Sequence, residues 1–444
     1  MEHEGVAMTR SQKRSKASIA RLAAVAGLFL LLEAMATQAQ SFTVLHEFTG
    51  GADGSNPYSS LAMDRAGNLY GVAPFGGNQQ LCETQDGIGC GTLFKLSRRG
   101  SGWIFSTLYE FSSGAGGSNP IGTPYIASDG SIYGTTDAGG NQDCRDMFGD
   151  GCGTVFHMRP QPTFCRSASC PWTNTVLYRF TGGSDGNDPY AGVVLDSAGN
   201  VYGTTYAGGS SQLGVAYEVS PSGSGWSEST IHTFAGGNDG ARPFSAPIFD
   251  GSGNLYGTTA DGGGCGGDNG CGTVYQLMSS GSGWSENILY NFSGGYGLSV
   301  AGLIFDPAGN LYGTFTSPDN GAFELSPAGA SWTFTALYVD QSIPIRAFYS
   351  PLARDAAGNL YGTSAAGGGS LCDGYGCGYV YKLTPSDGGW TFTQLYSFTG
   401  ESDGAYPVGG VVLDSNGNLY GTAYAGGTQR CGSQGCGVVW EISQ

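Results

Sequence analysis

The sequence predicts an all-β fold: a seven-bladed β-propeller of four-stranded blades, closed by the N-terminal strand completing the last blade. Three observations predict it. A short motif recurs seven times, each recurrence carries four strand-like runs, and the strand missing from the last unit stands ahead of the first.

The motif is Gly67-Asn68-Leu69-Tyr70-Gly71, followed by Gly130-Ser131-Ile132-Tyr133-Gly134 and Gly199-Asn200-Val201-Tyr202-Gly203. Its later tyrosines are Tyr256, Tyr312, Tyr361 and Tyr420. The mean spacing is about 58 residues, longer than the roughly 40–50 of common propeller repeats. In the first unit strand a is read over 57–64, b over 68–75, c over 91–97 and d over 103–111. Aromatic, Thr and β-branched residues dominate b, c and d, as half-buried pleated strands require. No sustained 3.6-residue period is present after the N-terminal segment. The seventh unit has a at 407–414, b from Asn418 and c at 437–443, and no d. Residues 42–48, FTVLHEF, match the d strand FTQLYSF at 392–398. Closing the ring with this segment protects edges that an open solenoid would leave bare.

Composition agrees with a packed, turn-rich chain. There are 80 Gly among 444 residues, 12% charged and 12% aromatic residues, and a net charge of −17. The aromatics exclude a disordered tail. The missing Gly-X-Y period excludes collagen. The acidic balance excludes a nucleic-acid partner, which needs clustered cations. Residues 1–39 read as a secretory signal peptide: a basic stretch (Arg10, Lys13, Arg14, Lys16, Arg21), an apolar run over 22–32, and cleavage after Ala36 or Ala39. An apolar run that short does not span a bilayer, so no membrane span is expected in the mature chain, residues 40–444.

Turns absorb most polar residues. Asp64 to Asn68, Asp196 to Asn200 and Asp414 to Asn418 read as tight a-to-b hairpins, with Asp bonding the backbone and Gly taking positive φ. By topology the a-to-b and c-to-d turns share one face. The d-to-a and b-to-c loops share the other.

With Gly-Asn-Leu-Tyr-Gly-Thr, Gly-Cys-Gly-Thr-Val, Leu-Tyr-x-Phe and Gly-Gly-x-Asp-Gly-x-x-Pro all in view, the chain resembles the choice-of-anchor tandem repeat GloVer-containing proteins. These are secreted bacterial repeat proteins, and the resemblance covers residues 42–444. It implies secretion and the repeat, and no mechanism. Members carry varied C-terminal anchors; no anchor is recognisable here, so it does not extend to surface attachment.

Five cysteine pairs occupy b-to-c loops: Cys82/Cys90, Cys144/Cys152, Cys265/Cys271, Cys372/Cys377 and Cys431/Cys436. Cys165/Cys170 lie in a c-to-d insertion. Units three and five lack both members of the loop pair, which favours bonded partners in an exported protein. A zinc reading needs four ligands per site, and no His lies in a Cys loop.

His46 and His232 occupy the Tyr position of Leu-Tyr-x-Phe and read as structural. His157 aligns with an outward polar slot of strand c. Asp53, Asp185, Asp239 and Asp403 each precede a Gly, with a Pro shortly after it. They read first as turn residues, and alternatively as calcium ligands, calcium being the one cofactor considered. The binding candidates are residues the repeat does not explain: Arg145, Asp146, Phe148 and Asp150 in one Cys-closed loop, Arg242, and Tyr375. The expected function is a secreted, non-catalytic, monomeric binding protein whose partner is a polysaccharide or surface protein, met by the disulfide-loop face. The alternatives are a polysaccharide lyase or hydrolase acting at the channel mouth, which needs paired carboxylates, and a purely structural repeat.

Overall fold

Turn chemistry and strand propensity together make each blade. The protein is described by a computed structural model covering residues 40–444, apart from 79–81, 83–88, 101, 145–150, 161–171, 266–269, 282, 294–300, 317–318, 344–346, 349, 370 and 373. In blade 1, strand a is Ala62–Met63, b is Leu69–Ala73, c is Thr92–Arg99 and d is Gly102–Glu110. They pair antiparallel in that order, with Tyr70 opposite Lys95 and Leu96 opposite Phe105. Seven such sheets form the ring. The last is closed by Ser41–Glu47 on Val438–Ser443, and Phe48 N–H donates to Gly437 O at 3.1 Å.

Two details differ from the expected strands. Strand a is paired over two residues only, because its first half bonds sideways. Threonines of strand b donate to strand-a carbonyls of the following blade: Thr135 to Ala191 O, Thr258 to Ala301 O, and Thr422 to Ser59 O across the closure, at 2.7, 3.0 and 2.9 Å. Blade 4 gains a fifth short strand, Ala241–Pro243, on its b strand Leu255–Asp261. Other units have a single bridge there, such as Ser55 with Phe75.

The second Gly of the repeated motif has a packing reason. It lies opposite a large ring on strand c, and a Cβ at Gly71 would stand 2.4 Å from Phe94 Cζ. At Gly421 the obstacle is Trp440, 2.3 Å away. Phe94, Phe156, Tyr217, Tyr275, Phe323, Tyr381 and Trp440 fill this one register position and are almost fully buried. Each anchors the core between neighbouring blades, where a buried ring removes large apolar area from water.

Most c–d pairs carry a bulge, for example between Leu93 and Phe94, which leaves Leu108 as the extra residue of strand d. A bulge re-aims the side chains beside it. The next residue is the Tyr or His of Leu-Tyr-x-Phe, and it meets the next blade. His46 stacks on Phe105 with centroids 3.7 Å apart, Tyr290 on Phe334 at 4.6 Å, Tyr338 on Phe392 at 4.3 Å and Tyr396 on Phe42 at 3.8 Å. Among the described residues no helix is long and apolar enough to cross a membrane.

Candidate functional site

Most of the described aspartates are held inside turns. In the a-to-b hairpins Asp64 Oδ1 accepts from Ala66 N–H and Asn68 N–H, while Oδ2 accepts from the Asn68 amide and the Tyr70 hydroxyl. The pattern repeats at Asp250, Asp306 and Asp414. Burial opposes ionisation, but the Asn, backbone and Tyr donors outweigh it and hold these carboxyls below the usual range. They are charged, saturated acceptors.

Three of the four d-to-a aspartates are likewise held in turns. Asp53, Asp185 and Asp403 each take the N–H and hydroxyl of a preceding Thr: Thr49, Thr181 and Thr399. Each also meets the ring of strand d, namely His46 at 3.2 Å, Tyr178 at 3.0 Å and Tyr396 at 2.9 Å. These three ligate within their own turns and are not gathered with one another. Asp239 is different: it lies with His232 and Glu286.

Five disulfides join the b-to-c pairs Cys82–Cys90, Cys144–Cys152, Cys265–Cys271, Cys372–Cys377 and Cys431–Cys436. Cys165 and Cys170 lie outside the described residues, as do Arg145, Asp146, Phe148 and Asp150. The bridges pack under the end of strand d of their own blade. A Cβ at Gly50 (φ +74°) would come 2.6 Å from Cys431 Sγ, and one at Gly400 equally close to Cys372 Sγ.

The second cysteine also positions the next blade. Its carbonyl accepts the N–H of the residue before Pro at the start of strand a: Cys436 O from Asn56 at 2.7 Å, Cys90 O from Asn119 at 2.9 Å and Cys377 O from Tyr406 at 2.8 Å. Leu213 O serves Arg242 at 2.7 Å in the unit without cysteines. Asn56, Asn119, Asp188, Arg242 and Tyr406 all have φ between 54° and 57°. This left-handed conformation is uncommon for such residues and turns each side chain at the start of the innermost strand. Neighbouring inner strands touch there: a Cβ at Gly410 would meet Pro351 O at 2.6 Å and Ser60 Oγ at 3.0 Å.

Around these residues lies an aromatic cluster. Tyr190 stacks on Phe244 at 5.3 Å and meets Tyr206 edge-on at 5.5 Å. Arg242 lies over Tyr206 at 5.8 Å and bonds Asp261. That bond, strengthened by the Asp261 charge, raises the guanidinium further. At the junction of the last blade with the first, Tyr58 meets Tyr424 at 6.1 Å, and the Asn56 amide donates to Tyr424 O at 3.0 Å. All five rings are half-buried, while Asp188 and Asp261 are buried at 4% and 7% exposure. Half-buried rings interleaved with Arg, Asn and Asp make an apolar platform with directional donors and acceptors.

Sequence reasoning singled out Arg242 here, and missed Asn56, Asp188, Tyr190, Tyr206, Phe244 and Tyr424. The available signal was the residue before Pro in Asp-Gly-x-x-Pro and its aromatic successor. Tyr375 lies on the Cys372–Cys377 loop, 48% exposed. On the Cys431–Cys436 loop a cleft of about 310 Å³ is lined by Glu401, Gln429 and Gln434 among glycines. His157 departs from the expected outward slot: it is 7% exposed, stacked on Tyr133 at 4.2 Å. Burial, followed by the Arg159 charge, lowers its pKa.

Residues 149–337 match the Gloeobacter/Verrucomicrobia repeat family. The match is consistent with a GloVer repeat protein. No curated protein matches it. Solved structures similar to this chain include a candidate 6-phosphogluconolactonase from Bacteroides uniformis, at 13% identity and TM-score 0.47, covering 82% of this chain and 89% of that one. A candidate glucose dehydrogenase from Thermus thermophilus matches at 15% identity and TM-score 0.42, with 91% and 100% covered. A polysaccharide lyase acting on ulvan matches at 12% identity and TM-score 0.49, with 85% and 89% covered.

Proposed function

We propose that this protein is an exported, non-catalytic carbohydrate-binding propeller, and that its ligand is a neutral extracellular polysaccharide. The observation carrying the reading is the platform of Tyr190, Tyr206 and Phe244 beside Arg242, set by backbone geometry on the disulfide-loop face. Aromatic faces match the apolar faces of sugar rings, and the flanking polar groups match hydroxyls. A net charge of −17 repels polyanions, which favours a neutral glycan. The disulfides support an oxidising compartment. The strongly raised carboxyls among the described residues, Glu228 and Glu286, stand on outer strands rather than on this platform, which weighs against general-acid catalysis there.

A polysaccharide array and affinity electrophoresis test the reading. Neutral glycans are expected to retard the protein, and Tyr206→Ala is expected to weaken binding at least about tenfold, as loss of a buried aromatic anchor does. Chain cleavage would favour the enzyme reading, with Asp188 and Asp261 the first residues to replace. Binding only to surface proteins, or silence across the array, overturns the proposal.

A further inference from the structure

The repeat supplies its own control for the boundary between blades 3 and 4. Where blades 4 and 5, 5 and 6, 6 and 7, and 7 and 1 meet, the ring of Leu-Tyr-x-Phe stacks on a Phe of the next strand d. Between blades 3 and 4 the ring is His232, and the position facing it holds Glu286, paired with Leu277 as Phe334 is paired with Leu325. A third change accompanies these. In the turns of Asp53, Asp185 and Asp403 a Thr hydroxyl occupies Oδ1. Blade 3 has Ala235 in that place, so only its N–H bonds Asp239, at Oδ2. Oδ1 is left facing His232.

The resulting geometry is compact. His232 Nε2 lies 3.3 Å from Asp239 Oδ1 and 3.3 Å from Glu286 Oε1. All three ligand atoms lie within 4.8 Å of one another. His232 Nε2 and Glu286 Oε1 are sealed from solvent without a hydrogen-bond partner. Such orphaned polar atoms are costly unless something binds them. For a tetrahedral ion with bonds of about 2.0–2.1 Å, neighbouring ligand atoms stand about 3.3 Å apart, the spacing of both His232 contacts.

We propose that His232, Asp239 and Glu286 bind one divalent transition cation of the zinc class, with water completing the shell, clamping blade 3 to blade 4. One imidazole nitrogen with two carboxylates suits zinc. Calcium asks for six to eight oxygens, which this site does not offer. The boundary of His46, Asp53 and Phe105 is the built-in negative: it has the same imidazole and turn carboxylate, but an aromatic ring closes it.

The test is calorimetric titration of chelator-treated protein with Zn²⁺, read beside the thermal midpoint. One Zn²⁺ per chain is expected, with a rise in midpoint. Glu286→Phe rebuilds the stack used at four other boundaries and is expected to retain the fold by circular dichroism. It is expected to lower affinity by more than the roughly 10–100-fold that loss of an outer-shell partner costs. Glu286→Gln, which keeps the shape, is expected to weaken binding as well. Cobalt substitution is expected to give a visible spectrum in the wild type and none in Glu286→Phe. No stoichiometric uptake by the wild type, or equal uptake by wild type and both variants, overturns the proposal. None of these readouts depends on glycan binding.

Discussion

The boundary between blades 4 and 5 and that between blades 2 and 3 use the same backbone and differ in what fills it. In the first, Tyr290 stacks on Phe334, which also touches Phe292 and Phe323. In the second, Tyr178 faces Glu228 across the same gap, and its hydroxyl turns to Asp185. The ring stack contributes apolar burial that is indifferent to pH. The carboxylate contributes a charge that the gap disfavours. The outer strands are therefore a layer whose stability is set boundary by boundary, while the inner strands are tied by the same Thr-to-carbonyl bond at six boundaries, blade 1 holding Val72 in that slot. A repeat protein can thus vary one boundary without disturbing its neighbours, as nearest-neighbour energetics allow.

Removing the ring is the strongest way to break the comparison. Phe334→Ala is expected to cost about 3 kcal/mol in urea unfolding, by lost burial and a residual cavity. A loss below about 1 kcal/mol would mean that the stack is only ornament on the blade. Next in size is the Cys372–Cys377 bridge. Replacing both cysteines by Ser is expected to cost about 2 kcal/mol, mostly through the unfolded chain, since the loop it closes is short. Because Leu213 O serves Arg242 without a cysteine, the same replacement is expected to leave the Tyr406 turn and the aromatic platform in place. Unchanged near-ultraviolet dichroism would show this.

The ring of blades was legible because its signals are local and repeat: hairpin Asp and Gly, alternating aromatics, and a displaced strand d. The disulfides were legible for the same reason, being pairs within one loop. The platform was less so. Its defining residues, Asn56, Asn119, Asp188, Arg242 and Tyr406, share a backbone conformation and no side-chain type, so a reading by residue identity catches Arg242 alone. The role of Asp53 as partner of His46 was hidden because a turn aspartate reads the same whether or not a neighbouring ring reaches it. Glu286 was hidden by distance along the chain: its meaning comes from His232, one unit away, and from the Phe that stands in its place in four other blades. Strand a looked longer in sequence than in the sheet because half of its bonds go to the neighbouring blade.

The finest test of the comparison is its pH dependence at Glu228. Burial, with the nearby Asp185 charge adding to it, pushes this carboxyl up to about 7, against an ordinary value of 4.5 and despite the Thr230 hydroxyl at 2.9 Å. The titratable groups facing it are Tyr178, Tyr217 and Asp185. A raised carboxyl means that the folded protein holds the proton more tightly than the unfolded chain. Its contribution is then fully present below about pH 4.5 and is lost as pH rises through about 7. Glu228→Gln is expected to remove that loss, so that its thermal midpoint exceeds the wild type at pH 8 and matches it near pH 4. Glu228→Phe is expected to go further, restoring a stack on Tyr178 worth about 0.5–1.5 kcal/mol at every pH. If both variants melt below the wild type at pH 8, the carboxylate is a favourable partner of Tyr178, and the contrast between stacked and charged boundaries fails at blades 2 and 3.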